Sequence, residues 1–523
     1  MTLYFTVKFY VTYITLSYEM AQAIRQTPSI ILYFEDILPK TGWGLYYKFM
    51  LGMACASCFT NAIASLSLPL SIPMSTCENS QMISDEIMYG IHTSFTVGRS
   101  VGGFLMNCSC DIYGRKRLMT YSLLTIFLTT FMSAFAYNYY MIICAALFLG
   151  SGLECNLAVV KIHLAEILPK RKRGFYLCFC DISWTLGYLG VSVFAVLMRN
   201  PAYVEHRAVD MRVSTWRMIL ALSGGFSLLL ACSSALLEES PRYFIHANKG
   251  YLSVLTLKQF FAINKSSYGN SFDIKESDIR NLVQDYGLSI HHVEGRIDLA
   301  ENSLNIIGKS VKLILSEPFR RATLLLLTIK TPLLIFSILN INILLAKMFI
   351  ESSAENGLDI IHLDPVGNST MCSSFEDNKI LYFHFLVLAV NILLGQIIMM
   401  WSLDYLGRTP SLIFSLSLTG ISFTVLFYVK NNMTKIIVSS VLILSISAAL
   451  TTTNVMNIEL YPTCVRGTSQ GLIQFFGIFL SIFAMRYYYL VSNWFFLIGG
   501  YICLCISFFS YFLHDMKRHP MVE

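Results

Sequence analysis

Long apolar runs return along nearly the whole of this 523-residue sequence, and they constrain its fold more than any other feature. A helix needs about 20 apolar residues to cross the hydrocarbon core of a bilayer. The runs are continuously apolar and do not alternate with polar residues, which excludes a closed β-barrel. The sequence predicts an all-α membrane protein with twelve spans, at 48–72, 88–108, 119–138, 141–163, 175–198, 216–237, 321–349, 380–402, 410–429, 434–457, 468–488 and 493–514.

Composition and motif content exclude several classes of function. Only 13% of the residues are charged, whereas soluble proteins carry about 25%. The net charge of +6 is small for this length and gives no reason to expect nucleic-acid binding. Neither a phosphate-binding G-x-x-x-x-G-K-[S/T] loop nor a zinc-binding Cys/His array is present. We therefore expect no enzyme activity, no cofactor and no metal.

Basic residues cluster after three of the predicted spans, which sets the expected orientation. The clusters are Arg115–Arg117, Lys170–Arg173 and Lys517–Arg518. Cytosolic loops of membrane proteins carry an excess of Lys and Arg, and all three clusters face the same side if the N-terminus is cytosolic. Both termini are thus predicted to be cytosolic. On the outer side, the sequon at Asn368 lies in a loop where glycosylation is permitted.

This topology divides the chain into five parts. A cytosolic extension at 1–44 precedes a six-helix bundle at 45–237, and a second six-helix bundle occupies 319–514. A cytosolic linker at 238–318 joins the two bundles, and a cytosolic tail follows at 515–523. Within the linker, the region 251–261 is expected to form a short amphipathic helix against the membrane.

Two motifs recur in the two halves at one common offset. The pattern D-x-x-G-R begins at Asp111 and again at Asp404, and the pattern E-x-x-P-x-x-x-R-G begins at Glu166 and again at Glu459. The offset is the same for both (404 − 111 = 293 and 459 − 166 = 293). Because type, spacing and position agree, we interpret the halves as parallel repeats of one another.

Charged side chains at the ends of equivalent spans can hold one face of a helix bundle closed. Asp and Arg can pair there and contact helix termini, glycine permits a tight turn, and proline ends a helix. An alternative, compatible with the first, is that the motifs only set topology and stop helices. The predicted gating residues are Asp111, Gly114, Arg115, Glu166, Arg173, Glu239, Arg242, Asp404, Gly407, Arg408, Glu459 and Arg466.

The repeat and its motifs resemble those of the major facilitator superfamily, whose members join two six-helix halves through a cytosolic loop. Asp111, Gly114, Arg115 and Lys116 match the superfamily's signature loop, although Asn107 stands where that loop usually begins with glycine. The segment 239–243, Glu-Ser-Pro-Arg-Tyr, is similar to the motif that closes the sixth span of sugar and organic-ion carriers. The resemblance implies a transporter fold of two parallel six-helix bundles.

A finer resemblance is to the synaptic vesicle glycoprotein 2 and synaptic-vesicle-2-related group, especially its insect members. It is carried by Phe34-Glu35, by Thr41–Gly44 before the first span, by a short first outer loop, and by Phe261–Asn264 after the sixth span. Organic cation and anion carriers are related, but they usually have a long loop between the first two spans. The resemblance covers roughly residues 40–515.

Ionisable residues inside apolar spans are costly in lipid and mark functional sites by default. Four such residues are predicted to line a substrate pathway: Arg99, Glu154, Asp181 and Lys330. Arg99 and Glu154 could equally form an ion pair that only fixes helix packing. The uncharged candidates for the pathway are Asn342, His384, Asn391 and Asn454, and further polar residues in the spans are Asn340, Gln396, Asn457, Gln470 and Gln474.

We therefore interpret the chain as an alternating-access secondary transporter of a small organic solute, charged or neutral. Coupling to a proton or another ion through Glu154 or Asp181 is left open, as is the choice between the plasma membrane and a vesicle membrane. The competing hypothesis is a binding or trafficking protein that keeps the transporter fold without transport.

Overall fold

The structure of this protein is a computed structural model, which describes residues 37–79, 85–169, 173–198, 215–247, 249–265, 298–317, 319–339, 379–487 and 494–513. Every regular element in these residues is helical, which confirms the all-α prediction. The helices before residue 240 are α1 Leu45–Asn79, α2 (Asp85–Val97, a π-helical turn Gly98–Gly102, and Gly103–Tyr113), α3 Arg115–Ala134, α4 Tyr139–Ile167, α5 Arg173–Met198 and α6 Thr215–Ser234.

Nine more helices follow. They are α7 Pro241–His246, α8 Gly250–Lys265, α9 Asp298–Ile314, α10 Arg320–Leu339, α11 Lys379–Tyr405, α12 Arg408–Tyr428, α13 Asn432–Leu460, α14 Arg466–Tyr487 and α15 Trp494–Ser510. A helix does form at 251–261: α8 buries Val254, Leu257 and Phe260 within the protein. Its contact with the membrane stays a prediction.

Nine helices in the described part of the chain are long and apolar enough to cross a membrane: α1, α4, α5, α6, α10, α11, α12, α13 and α14. Helix α15 is apolar but shorter. Helix α2 contains Arg99 within its π-helical turn, and α3 begins with three basic residues, which lowers the mean hydropathy of both. The count of twelve spans stays a prediction.

The repeated motifs fix helix boundaries in the same way in both halves. Gly114 and Gly407 have φ angles of 103° and 111°, a region that favours glycine. Each of these glycines separates two helices, α2 from α3 and α11 from α12. Helix α4 ends before Pro169, and the preceding Leu168 has the extended backbone that a following proline requires. The sequence repeat is therefore a repeat of local structure.

Among the described residues, the two most extensive helix contacts between the halves are related to each other by the repeat. Helix α5 packs against α11, and α2 packs against α14. Helices α2 and α11 are equivalent in the repeat, because each runs into a D-x-x-G-R motif. Helices α5 and α14 are equivalent because each begins at the Arg-Gly that ends the other motif. The halves thus contact one another through the helices that the motifs terminate or begin.

Helices α2 and α4 approach until their backbones touch. A Cβ atom added to Gly98 would lie 1.9 Å from the carbonyl oxygen of Leu147, and one added to Gly150 would lie 2.3 Å from that of Phe95. Only residues without side chains fit at this spacing. The close approach brings Arg99 on α2 beside the helix that carries Glu154.

We expect Gly98→Ala to destabilise the protein, because the new methyl group must push α2 away from α4. Overpacking of this kind costs about 1–3 kcal/mol. The control is Gly225→Ala on α6, where an added Cβ meets no atom within 4 Å. A melting temperature measured in lipid nanodiscs should fall for Gly98→Ala and not for Gly225→Ala. Equal melting temperatures would show that the contact is looser than described.

The segment before α1 is fastened to α8. Ile37 and Leu38 share an apolar cluster with Val254 and Leu257. The backbone N–H of Tyr46 donates to Oδ1 of Asn264 at 3.0 Å. The two stretches that carry the finer resemblance, around 41–44 and 261–264, therefore lie against each other.

Candidate functional site

Charged residues of the repeated motifs gather at one end of the helices and form what we call the motif layer. Most of its arginines and acids are buried, so their charges must be neutralised within the protein. The motif layer consists of Asp111, Gly114, Arg115, Glu166, Arg173, Glu239, Arg242, Asp404, Gly407, Arg408, Glu459 and Arg466, the set predicted from the sequence.

Asp111 caps helix α14 of the opposite half. Its carboxylate accepts hydrogen bonds from the backbone N–H of Gly467 at 3.1 Å and from that of Thr468 at 2.8 Å. The hydroxyl of Thr468 donates to the same carboxylate at 2.9 Å. A carboxylate at a helix N-terminus satisfies free N–H groups and faces the positive end of the helix dipole. Asp111 thus fastens the end of α2 to the start of α14.

Glu166 bridges the two halves through two arginines. Its Oε1 lies 3.1 Å from Nη2 of Arg115 and 2.8 Å from Nη1 of Arg466. All three side chains are buried, with exposures of 0–1%. Arg115 also donates to the backbone oxygen of Thr463 at 2.6 Å. One carboxylate therefore holds a cation from its own half and a cation from the other.

The second half repeats the first pair. Arg408 donates to Glu459 from Nε and Nη2, both at 3.0 Å. The residues of this pair are 51 positions apart, as are those of the Arg115–Glu166 pair. The D-x-x-G-R motif of the second half also lies against the Arg-Gly that ends the other motif in the first half. A Cβ atom added to Gly174 would lie 3.2 Å from Oδ1 of Asp404. Asp111 Oδ1 likewise lies 3.0 Å from a Cβ position at Gly467.

Glu239 and Arg242 attach the segment after α6 to the motif layer. Glu239 accepts from the backbone N–H of Arg115 at 3.0 Å and from that of Lys116 at 3.2 Å. Arg242 donates from Nε to the backbone oxygen of Glu166 at 3.1 Å. A Cβ atom at Gly114 would lie 2.4 Å from Oε2 of Glu239, a second reason why this position needs glycine.

Two further layer features concern Arg173 and Asn107. Arg173 is buried and donates to the backbone oxygen of Leu168 at 3.3 Å. Asn107 stands where the signature loop usually has glycine, and it is buried against glycines of α14. Cβ positions at Gly467 and Gly471 lie 2.5 Å and 3.0 Å from its atoms. Glycines on the opposite helix give Asn107 its space.

A second group lies among the helices, away from their ends, and we call it the buried charge cluster: Arg99, Glu154, Lys161, Asp181 and Lys330. Arg99 donates to Oε2 of Glu154 from Nε at 3.0 Å and from Nη2 at 2.9 Å. The sequence analysis gave an ion pair between these two residues as one possibility, and the structure shows that pair. Arg99 keeps 29% of its side chain exposed, whereas Glu154 keeps 3%.

Lys161 pairs with Asp181, joining α4 to α5. Sequence reasoning singled out Asp181 but missed Lys161, which falls in the last turn of the predicted span 141–163, where a lysine is usually interfacial. Its side chain is in fact largely buried. The signal that could have found it is the spacing of seven residues from Glu154 (161 − 154 = 7), which places both on one face of α4.

Lys330 on α10 is the cluster's contribution from the second half. Its side chain is 1% exposed, and its Nζ has no hydrogen-bond partner among the residues that the structure describes. The charges of Glu154, Asp181 and Lys161 act on it. The cluster thus draws its members from both halves.

The uncharged candidates behave differently from one another. Asn391 donates to the backbone oxygen of Val387 at 3.0 Å, a bond within its own helix. Asn454 is half-buried, and its Oδ1 has no partner in the described part of the chain. A bond that was not predicted joins Thr185 to Gln396 at 2.7 Å and links α5 to α11. Asn342, Asn368 and the side chain of His384 lie outside the described residues.

Sequence comparison relates the first half of the chain to known transporters. The family model of the sugar (and other) transporters matches residues 49–267, which is less than half of the chain. The inner membrane metabolite transport protein YgcS of Escherichia coli (strain K12) is 28% identical over 156 residues, covering 30% of this chain and 33% of that protein. The match is to a transporter family and not to an enzyme family, as predicted.

The synaptic vesicle group is also found. Synaptic vesicle glycoprotein 2A of Homo sapiens is 24% identical over 264 residues, covering 48% of this chain and 34% of that protein. Synaptic vesicle glycoprotein 2B of Homo sapiens is 24% identical over 255 residues, with 48% and 36% covered. The matched region is thus only about a third of the length of each relative.

Solved structures show the fold over nearly the whole chain. A proton:xylose symporter of the major facilitator superfamily, XylE, superposes with a TM-score of 0.64 at 13% identity, covering 91% of this chain and 98% of that one. The E. coli fucose:proton symporter FucP superposes with a TM-score of 0.55 at 12% identity. Together with the apolar helices, these matches make the chain a multi-pass integral membrane protein. The resemblance seen in the motifs is confirmed, and the chain has the major facilitator fold, with a first half similar in sequence to the sugar transporters and the synaptic vesicle glycoproteins 2.

Proposed function

We propose that this protein is a secondary transporter that carries a small organic solute by alternating access. The observation that supports this most is the motif layer, in which Asp111 and Glu166 of the first half bind Gly467, Thr468 and Arg466 of the second. These contacts close one end of the space between the halves, and breaking them would open it. The similarity to sugar transporters over 49–267 supports the same function.

In this proposal, residues 45–237 and 319–514 move as two units, and 238–318 is the linker between them. The motif layer faces the cytosol, as the basic residues at 115–117 and 170–173 indicate. Both termini then face the cytosol, Asn368 faces outward and can be glycosylated, and the membrane is that of the cell surface or of a vesicle. The solute binds near the buried charge cluster, between the units.

Uptake into proteoliposomes tests the function. Purified protein should accumulate at least one solute from a broad panel of small metabolites, and Arg99→Ala and Lys330→Met should abolish that uptake. Repeating the assay with an imposed pH gradient shows whether a proton is coupled, as it is in the proton symporters XylE and FucP. Absence of uptake across the panel would favour the alternative, a binding or trafficking protein with a transporter fold.

Closure of the motif layer should depend on pH through Asp111. Burial raises the pKa of Asp111 to about 6, and Arg115 and the helix-capping bonds only partly oppose this. In an open layer the carboxyl would be hydrated, with a pKa of about 3.9. The closed layer therefore binds the proton more tightly, so acid favours closure, and the preference is lost as pH rises through 6. Between pH 7 and pH 5 the closed-to-open ratio should rise roughly tenfold.

The measurement is a distance distribution between spin labels at Tyr113 and Leu406, which are exposed and equivalent in the two D-x-x-G-R motifs. Asp111→Asn should lose the pH response. His246, also near the layer, has its pKa lowered to about 4 by burial and stays neutral in this window. His163 is a second histidine beside the layer, 3.9 Å from Glu239, so His163→Gln tests whether a histidine causes the pH response instead of Asp111. A response that vanishes with His163→Gln and survives in Asp111→Asn would contradict the assignment.

A further inference from the structure

Lys330 is a buried basic side chain, and no described residue pairs with its ammonium nitrogen. Its Nζ makes no hydrogen bond within the described residues, and its side chain is enclosed almost completely. Burying an ammonium group without a counter-charge is strongly unfavourable. A buried polar group left unsatisfied in a native structure requires an explanation, and a binding site for an ion, a water or a ligand is one.

The nearby acids are already neutralised. Of the charges that act on Lys330, the negative ones are Glu154 and Asp181. Glu154 is held by Arg99 in a two-bond contact, and Asp181 is held by Lys161. The buried charge cluster therefore has three basic and two acidic side chains, and Lys330 is the basic group without an acid of its own. Neither acid can pair with Lys330 without leaving its own partner uncompensated.

The helices packed against α10 add unsatisfied acceptors. Helix α10 contacts α13 and α14. Asn454 on α13 and Gln474 on α14 each have an amide oxygen without a partner among the described residues. These oxygens can accept hydrogen bonds from hydroxyl or N–H groups. Within the described residues, the second half thus offers a basic side chain on one helix and unpartnered acceptors on two of the helices that pack against it.

We propose that Lys330 binds the acidic group of the carried solute, which is therefore a small organic anion with a carboxylate or a phosphate. The inference rests on the proposed carrier function and specifies its substrate class. A lysine ammonium binds such groups as a point charge. The carboxylate or phosphate restores charge balance in the cluster, and hydroxyl or amine groups of the same solute satisfy the amide oxygens. A neutral sugar would leave Lys330 unpaired.

Binding is tested on the full-length chain in phosphatidylcholine nanodiscs, which carry no net lipid charge. The probes are lactate, succinate, benzoate and glycerol phosphate, each compared at equal concentration with a neutral counterpart: lactamide, succinamide, benzamide and glycerol. A ligand that binds the folded state raises its melting temperature by mass action. We expect at least one anion to raise the melting temperature and its neutral counterpart to leave it unchanged.

Variants locate the response. Lys330→Met should abolish it, and Lys330→Arg should retain it, because the arginine keeps the charge. Met is apolar and fits a buried position, so this variant should still fold. Thr328→Ala is the control, since Thr328 lies on the same helix with its side chain exposed, and its hydroxyl donates to the backbone of that helix. It should respond like the wild type.

Three results would overturn the inference: no response to any anion, an equal response to the neutral counterparts, or a response that persists in Lys330→Met. A response to phosphatidylglycerol nanodiscs that replaces the solute response would also overturn it, because the anion would then be a lipid headgroup. Uptake is scored separately. Uptake of the neutral counterparts alone would contradict the assignment of an anionic substrate and would still support the carrier function. Binding of an anion without uptake would contradict the carrier function and would still support an anion site at Lys330.

Discussion

Glu166→Ala is expected to cause the largest loss of stability of any single change in the motif layer. The change leaves Arg115 and Arg466 buried without their shared carboxylate. Removing one partner of a buried ion pair costs about 3–5 kcal/mol. Because one of the two arginines belongs to each half, part of this loss should appear as opening of the layer. Both the melting temperature and the label distance between Tyr113 and Leu406 are to be measured.

The matched control is Glu317→Ala. Glu317 lies 3.8 Å from Arg320 and from Arg321, but its side chain is 54% exposed. Exposed ion pairs contribute about 0–1 kcal/mol, so this variant should melt like the wild type. If Glu166→Ala melted within a degree of Glu317→Ala and kept the wild-type distance, the bridge would carry no weight in closure.

The second large effect concerns the Lys161–Asp181 pair. Asp181→Leu alone leaves a buried lysine unpaired, and Lys161→Met alone leaves a buried aspartate unpaired, so each should lower stability by about 3–5 kcal/mol. The double variant Lys161→Met/Asp181→Leu removes both charges together. Replacing a buried pair by apolar residues is often neutral or stabilising, so the double variant should regain the wild-type melting temperature.

Transport separates the two roles that this pair can have. If Lys161 and Asp181 only fix α4 against α5, the double variant regains uptake along with stability. If their charges serve the solute or a coupled proton, stability returns and uptake stays lost, and this is the result that we expect. Recovery of full uptake would place the pair among structural contacts.

The residues that the structure gathers in the motif layer could be singled out from the sequence because their motifs are repeated, and their role in gating stays a prediction. Asp111 and Asp404 share an offset with Glu166 and Glu459, and the equality of two offsets is visible in one chain. The sequence did not show which residues of one half bind which residues of the other. Nothing in the spacing shows that Glu166 binds Arg466 as well as Arg115, because that contact depends on how two distant helices pack.

The interior was harder to predict. Arg99, Glu154, Asp181 and Lys330 stand out because each interrupts an apolar run. Lys161 did not, since a lysine near the end of a predicted span is usually interfacial, and only the packing of α5 shows its burial. The π-helical turn Gly98–Gly102 also has no signal in the apolar pattern, yet it bears Arg99.

The most direct test of the account is the distance between labels at Tyr113 and Leu406 under conditions that drive turnover. The account predicts two populations, a short one with the motif layer joined and a longer one with it open. A transported solute should change their ratio, and Glu166→Ala should favour the longer one. A single short distance that neither the solute nor the substitution alters would contradict alternating access through this layer.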